Sequence, residues 1–247
     1  MKTYPNISKK YVETTCTAGL LELPKEGLKL VRVYPVPFRF LNESKKFPKY
    51  SWLEVEVEHN QKDGRPESYK LLNPYKISVL EKIAAGKDGW KKRMELILRF
   101  VEPIEQIIKN WRQKSLGIIK PVKLLDFYIQ EEEEKGWTKE QLNIISQNIL
   151  FTKNIKPLEK VPYKFSYKFL GDDGKEHVYG IYDWEIYQAY RSWRWKYRED
   201  VFEKLKEKFF YEMKEKRDIY FVIGNHNRWR KSFFIVGIVY PPKNWDK

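Results

Sequence analysis

The apolar positions between Gly180 and Met213 follow helical spacing. Ile186, Tyr190, Trp193 and Tyr197, then Phe202, Leu205, Phe209 and Met213, recur at steps of three, four or five residues. Asp183 stands at the N-cap position, where its carboxylate can accept first-turn amide protons, and Glu185 adds negative charge beside it. The pattern predicts one long helix starting at Trp184. Arg191, Arg194 and Arg198 lie at i, i+3 and i+7, which sets three guanidiniums on one helix face beside an aromatic stripe.

Much of the remaining chain alternates with period two. Tyr11 to Ala18 reads as a strand ended by Gly19. Lys29 to Phe40 reads as a strand that Pro35 and Pro37 interrupt, which puts Arg32, Tyr34, Phe38 and Arg39 on an edge or bulged bend. Ser51 to His59 is the cleanest strand: Leu53, Val55 and Val57 face one way, and Trp52, Glu54, Glu56 and Glu58 the other. Asp63-Gly64 marks the turn after it. Pro74 to Ile83 is predicted as a short helix, and Trp90 to Trp111 as a longer one that Pro103 kinks or divides.

A strand is expected at Val122 to Glu131, an exposed acidic turn at 131–134, and a helix from Thr138 through Asn148 with Gln141 completing a capping box. Val161 to Leu170 has an aromatic face of Tyr163, Phe165, Tyr167 and Phe169, and a turn at 171–174 returns the chain through 176–182 to Asp183. Asp218 to Ile223 and Ser232 to Tyr240 are apolar strands, the second apolar enough to be buried on both faces. These elements imply an α+β protein with a mixed, largely antiparallel sheet. One domain over 1–247 is expected, with a β-rich part to about residue 72 packed on an α/β remainder from about residue 73.

Charge changes this picture. The 247 residues carry 48 Lys+Arg against 34 Asp+Glu, a net charge of +14, and such an excess points to a polyanionic partner. Lys and Glu are also spread evenly along the chain, as on a thermophile's surface. The single cysteine, Cys16, excludes an intramolecular disulfide and a thiolate-built zinc site. With no bilayer-length apolar run and no signal-peptide core at the N-terminus, the expectation is a cytoplasmic protein without a membrane partner.

Three groups of residues carry candidate chemistry. Arg191, Arg194 and Arg198 on the long helix, Arg32, Tyr34, Phe38 and Arg39 on the proline-broken strand, and His226, Arg228, Trp229 and Arg230 in the 224–231 loop could grip phosphates and stack bases of DNA or RNA. The same arginines could equally lie over rings and pair with Glu199 and Asp200, and the loop could be an ordinary hairpin connection. His177, Asp183, Glu185 and His226 offer two imidazoles and two carboxylates, a donor set for Mg²⁺ or Mn²⁺ with an open position and a catalytic role for His177, Asp183 and Glu185. The Glu54 and Glu56 strand face, with Asp63, Glu67 and Lys70, resembles the acidic-plus-lysine layout of restriction-type nucleases. In those enzymes the acid and lysine stand two apart on one strand; here Glu67 and Lys70 are three apart beside a proline.

The blocks KTYPNISKKYVETTCTAG, VYPVPFRF, SLGIIKP, YDWEIYQAY and FFIVGIVYPP resemble those of an uncharacterised family of short prokaryotic proteins. The resemblance spans most of the chain and implies one shared architecture in an intracellular setting. Relatives in that family often carry a Cys pair between the aromatic strand and the position matching His177; the 170–176 segment has none, which counts against zinc here. The expectation is a nucleic-acid-binding protein, in a mobile-element or defence context. A metal-dependent nuclease or phosphodiesterase is the first alternative, and a protein-interaction module with thermophilic surface charge the second.

Overall fold

The computed structural model describes residues 1–149 and 155–246. In chain order the strands and helices are β1 (Asn6–Ser8), β2 (Val12–Leu23), β3 (Gly27–Val36), β4 (Ser51–Glu54), β5 (Val57–His59), β6 (Ser68–Leu71), β7 (Ser78–Lys82), α1 (Lys87–Ile97), α2 (Ile104–Lys109), β8 (Leu116–Ile119), β9 (Lys123–Glu131), α3 (Lys139–Ile149), β10 (Tyr163–Leu170), β11 (Glu176–Ile181), α4 (Trp184–Tyr197), α5 (Val201–Lys206), α6 (Glu212–Lys216), β12 (Tyr220–Asn225) and β13 (Phe233–Val239). The architecture is α+β with mixed, mostly antiparallel sheets.

The N-terminal strands form a five-stranded sheet in the order β1-β2-β3-β6-β5, and β4 and β7 pair as a separate ribbon. The ladder between β2 and β3 runs on to Leu23 opposite Gly27, so Gly19 sits inside a strand, paired with Val31, instead of ending it. The bulge expected near Pro35 is present: the register shifts between Thr15, opposite Val36, and Thr17, opposite Val33. Yet β3 is an interior strand, with β6 on its other side.

Two further predictions fail for the same reason, a change of pairing partner. The single strand expected over 51–59 is two strands in two sheets, because β4 pairs with β7 while β5 pairs with β6. Its alternation is real, since Glu54, Glu56 and Glu58 are exposed. The expected helix at 74–83 is one 3₁₀ turn over 74–76 followed by β7, whose cross-strand pairing overrides local propensity.

The C-terminal sheet has the order β8-β12-β13-β11-β10-β9. β13 is central and covered on both faces, as its apolar run predicts. Ile235 and Ile238 join one core with Phe165, Tyr167, Phe221 and Phe209, while Val236 and Val239 join another with Ala18, Met94 and Ile97. Burying side chains of this size contributes about 1.5–3 kcal/mol each. The helix expected over 90–111 divides at Val101–Pro103, where Val101 bridges to Ile118. Thr138 and Gln141 exchange the two capping-box hydrogen bonds, at 3.0 and 3.3 Å.

The helical stretch 184–216 is present and starts on Asp183 as expected. It is interrupted at Arg198, which has φ 47° and ψ −115°. Trp193 and Phe209 would stand roughly 24 Å apart along a straight helix, but their rings are 6.4 Å apart, so the second half turns back beside the first. Residues 207–211 form a π turn, and the buried Tyr167 hydroxyl donates to the Phe209 carbonyl within it.

The two sheets are tied together early in the chain. Tyr4 N donates to Tyr182 O (2.8 Å), Trp184 N donates to Lys2 O (2.9 Å), and Thr3 bridges Asp183.

Candidate nucleic-acid interface

The connection between β12 and β13 leaves the middle of the C-terminal sheet and is held from below. Asn225, fully buried, ends β12; its side-chain amide donates to Arg230 O (2.9 Å). Arg32, only 2% exposed, donates to Asn225 O (3.2 Å) and to Ser115 O (2.7 Å). Arg65 adds a second guanidinium contact to Asn225 O (3.1 Å) and pairs with Asp63 at 2.6 Å. Burial would raise the Asp63 carboxyl, but Arg65 and Ser68 outweigh it and hold it below the usual carboxylate range. Glu67 accepts from Ser115 N (2.9 Å) and Ser115 Oγ (2.6 Å). Gly224 fits because a Cβ there would lie 3.0 Å from the Arg32 guanidinium.

This scaffold gathers three segments, 61–66, 110–114 and 226–232, at one end of the sheet. Arg230 donates to Gly64 O (2.9 Å). The Arg112 guanidinium and the Lys231 ammonium lie 5.0 and 5.9 Å from the Trp111 ring centre. Trp229 is 66% exposed and lies 5.2 Å from the His226 ring. Arg112, Arg228 and Lys231 are exposed as well. Among the described residues none of Arg112, Arg228, Arg230 and Lys231 pairs with a carboxylate. Burial, then Arg65 and Arg228, push the His226 pKa down, so this imidazole is neutral in a positive field.

Most of the other arginines proposed for binding have structural partners. Arg191 and Arg194 both pair with Glu159, Arg191 at 3.1 Å, and Arg191 also donates to Gln188 (2.9 Å). Arg198, at the break after α4, is exposed but no longer continues their helical face. Arg39 pairs with the buried Glu13 at 2.7 Å, Tyr34 accepts from the Thr14 hydroxyl (3.0 Å), and Phe38 packs edge-on against Phe47 and Trp184. The edge placement is therefore corrected: Arg32 and Tyr34 lie on β3, an interior strand, Phe38 and Arg39 lie past its end in a 3₁₀ turn, and all four make protein contacts.

The proposed metal quartet is not assembled. Asp183, 2% exposed, caps α4 through Glu185 N (3.0 Å), accepts from Ile238 N (2.8 Å) and pairs with Lys49 (3.3 Å). Glu185 pairs with the same Lys49 (3.0 Å) and accepts from the Tyr240 hydroxyl (3.1 Å). Burial works against the Lys49 charge, but Asp183 and Glu185 hold its ammonium above the ordinary lysine value. His177 lies six residues up an extended chain, roughly 20 Å, and pairs instead with Asp173 (3.0 Å). His226 belongs to the opposite end of β13 from Ile238. Among the described residues no group of three or more His, Cys, Asp or Glu side chains could hold a metal ion. The Glu56 and Glu58 carboxylates pair with Lys76 and Lys70, as surface charges do.

Lys49, Arg112 and Lys231 are the residues that sequence reasoning passed over. Lys49 lies in a proline-flanked loop without periodicity, and Arg112 and Lys231 join the 226–232 loop only through tertiary contact. A run of basic residues ending at Lys231 was the one visible signal.

No helix among the described residues is long and apolar enough to cross a membrane. No curated protein matches the chain. Residues 1–99 match the domain of unknown function DUF8758, and residues 101–247 match the domain of unknown function DUF8757. The second match covers the long helical stretch, the central hairpin and its basic loop, and since it takes in more than half of the sequence, the chain belongs to the DUF8757 family.

Proposed function

We propose that the protein binds nucleic acid through the end of the C-terminal sheet formed by segments 61–66, 110–114 and 226–232. The observation that carries this reading is the exposed Trp229 on the loop that carries Arg228 and Lys231, with Arg112 and Lys231 meeting at the Trp111 ring, all three cations without a carboxylate partner among the described residues. Unpaired cations release counterions from a phosphate backbone, and an exposed indole beside them offers a stacking face to an unpaired base. The rigid support from Arg32 and Asn225 keeps this surface ordered before a ligand arrives. Single-stranded nucleic acid fits best, because Trp229 stands proud of the surface instead of filling a groove.

The test is a salt-titrated binding measurement on labelled single- and double-stranded DNA and RNA. Log affinity is expected to fall linearly with log salt. Replacing Arg112, Arg228 and Lys231 together by Gln is expected to weaken binding about 30-fold and flatten the slope by roughly two to three. Binding that is absent at 50 mM salt, or unchanged in the triple variant, overturns the reading.

A further inference from the structure

Between the two sheets lies a half-open cavity of about 1090 Å³, large enough for a drug-sized molecule. Its walls are mainly apolar, with Val31, Val33, Ile97, Ile118, Val222 and Trp193 among them. At its mouth, β2 beyond Ala18 pairs only with β3, which leaves its other backbone edge open among the described residues.

The charged groups of the interior are unequally engaged. Its two inner carboxylates are both paired: Asp183 with two backbone amides and Lys49, and Glu185 through Oε2 with Lys49 and the Tyr240 hydroxyl. Two of its cations, Lys2 and Arg93, are not. Lys2 has three ammonium donors, gives one to Phe47 O, and lies 3.7 Å from the Phe38 ring centre and 4.8 Å from that of Phe47. Arg93, 5% exposed, donates to Ile83 O and stacks 4.0 Å from Tyr50, and its Nε has no partner. Neither cation pairs with a carboxylate among the described residues. The wall hydroxyls of Thr17, Tyr50 and Ser51 are also without hydrogen-bond partners. The remaining wall acids, Glu22 and Glu54, are exposed at the rim.

We infer that this cavity binds an amphipathic monocarboxylate, its apolar body against the inter-sheet walls and its carboxylate at Lys2. An anion completes what the protein leaves unmade there, whereas an amine would meet inner acids already paired with Lys49 and two cations that repel it. The cavity lies at the Asp183 end of β13, away from the basic loop, and the inference is independent of nucleic-acid binding.

Calorimetric titration of the unmodified protein with dodecanoate, dodecanol and dodecylamine below their micelle concentrations tests it. The expected result is one site, with dodecanoate at least tenfold tighter than the alcohol and the amine weakest. Lys2→Met is expected to remove that tenfold preference while leaving dodecanol unchanged. Binding of none of the three, equal binding of all three, or stoichiometry well above one overturns the proposal. So does a Lys2→Met variant that folds and keeps the preference. Because the head-group series needs no variant, the outcome does not depend on whether Lys2→Met folds.

Discussion

The two ends of β13 carry the same kinds of side chain and treat them in opposite ways. Near Ile238, the acids are paired within the protein: Lys49 joins Asp183 to Glu185, and further along α4 Glu159 takes both Arg191 and Arg194. At the Phe233 end, Arg112 and Lys231 at the Trp111 ring and Arg228 beside the exposed Trp229 have no acid among the described residues to neutralise them. The density of basic residues along a helix therefore says little about where positive potential reaches solvent. Partners decide it, and partners come from distant segments such as 155–162.

The comparison can be broken first at its paired end. Asp183→Ala leaves Lys49 short of its most buried counter-charge, removes the cap of α4 and frees Ile238 N. We expect a loss of about 3–5 kcal/mol in urea unfolding. A loss under 1 kcal/mol would show that this end is less dependent on its internal pairing than its geometry implies. Next in size is Gly224→Ala, whose Cβ would press on Arg32 beneath the loop. A cost of about 1–3 kcal/mol is expected, with nucleic-acid affinity falling several-fold as Asn225 shifts, although no exposed cation is touched.

Arg191→Gln with Arg194→Gln should do the reverse. Stability drops by about 1 kcal/mol or less, since these half-exposed pairs are screened, and affinity changes less than twofold. A larger affinity change would move the binding surface to α4. The smallest effect concerns His226. Folding holds its pKa below the ordinary value of about 6.5. The unfolded chain therefore takes up more protons, and this group's contribution to stability falls as pH drops below about 6.5. In NMR titrations, Arg228→Ala should raise the His226 pKa, and so should bound nucleic acid, which supplies the counter-charge. No movement on adding nucleic acid would place the ligand elsewhere.

Much of the fold is legible in local patterns because those patterns match what packs against them. The aromatic face of β10, the Asp183 cap, the Thr138 and Gln141 box and the doubly buried β13 all follow from spacing alone. What was hidden depends on long-range pairing. Nothing in SWLEVEVEH marks where the chain leaves β7 for β6, and β7 itself reads as a helix until β4 is beside it. The 198–200 break is equally silent, since Arg198 takes its positive φ where no glycine signals a turn. For the candidate interface, the loop residues His226, Arg228, Trp229 and Arg230 were legible as an exposed polar string. Arg32 was visible as a basic residue, but its role beneath the loop required knowing that β3 lies inside a sheet.

The pairing of residues 2–4 with 182–184 also sets a timetable. On a ribosome adding about 5–20 residues per second, the first of these segments waits roughly ten to forty seconds for the second. During that wait the N-terminal strands exist without the surface that covers Ala18 and Val31. The exposed Glu54, Glu56 and Glu58 on β4, β5 and the link between them then have a use unrelated to catalysis: like charges on short solvent-facing strands discourage their pairing with another nascent chain. Maturation of this protein is thereby a late event, completed only after the central hairpin has been made.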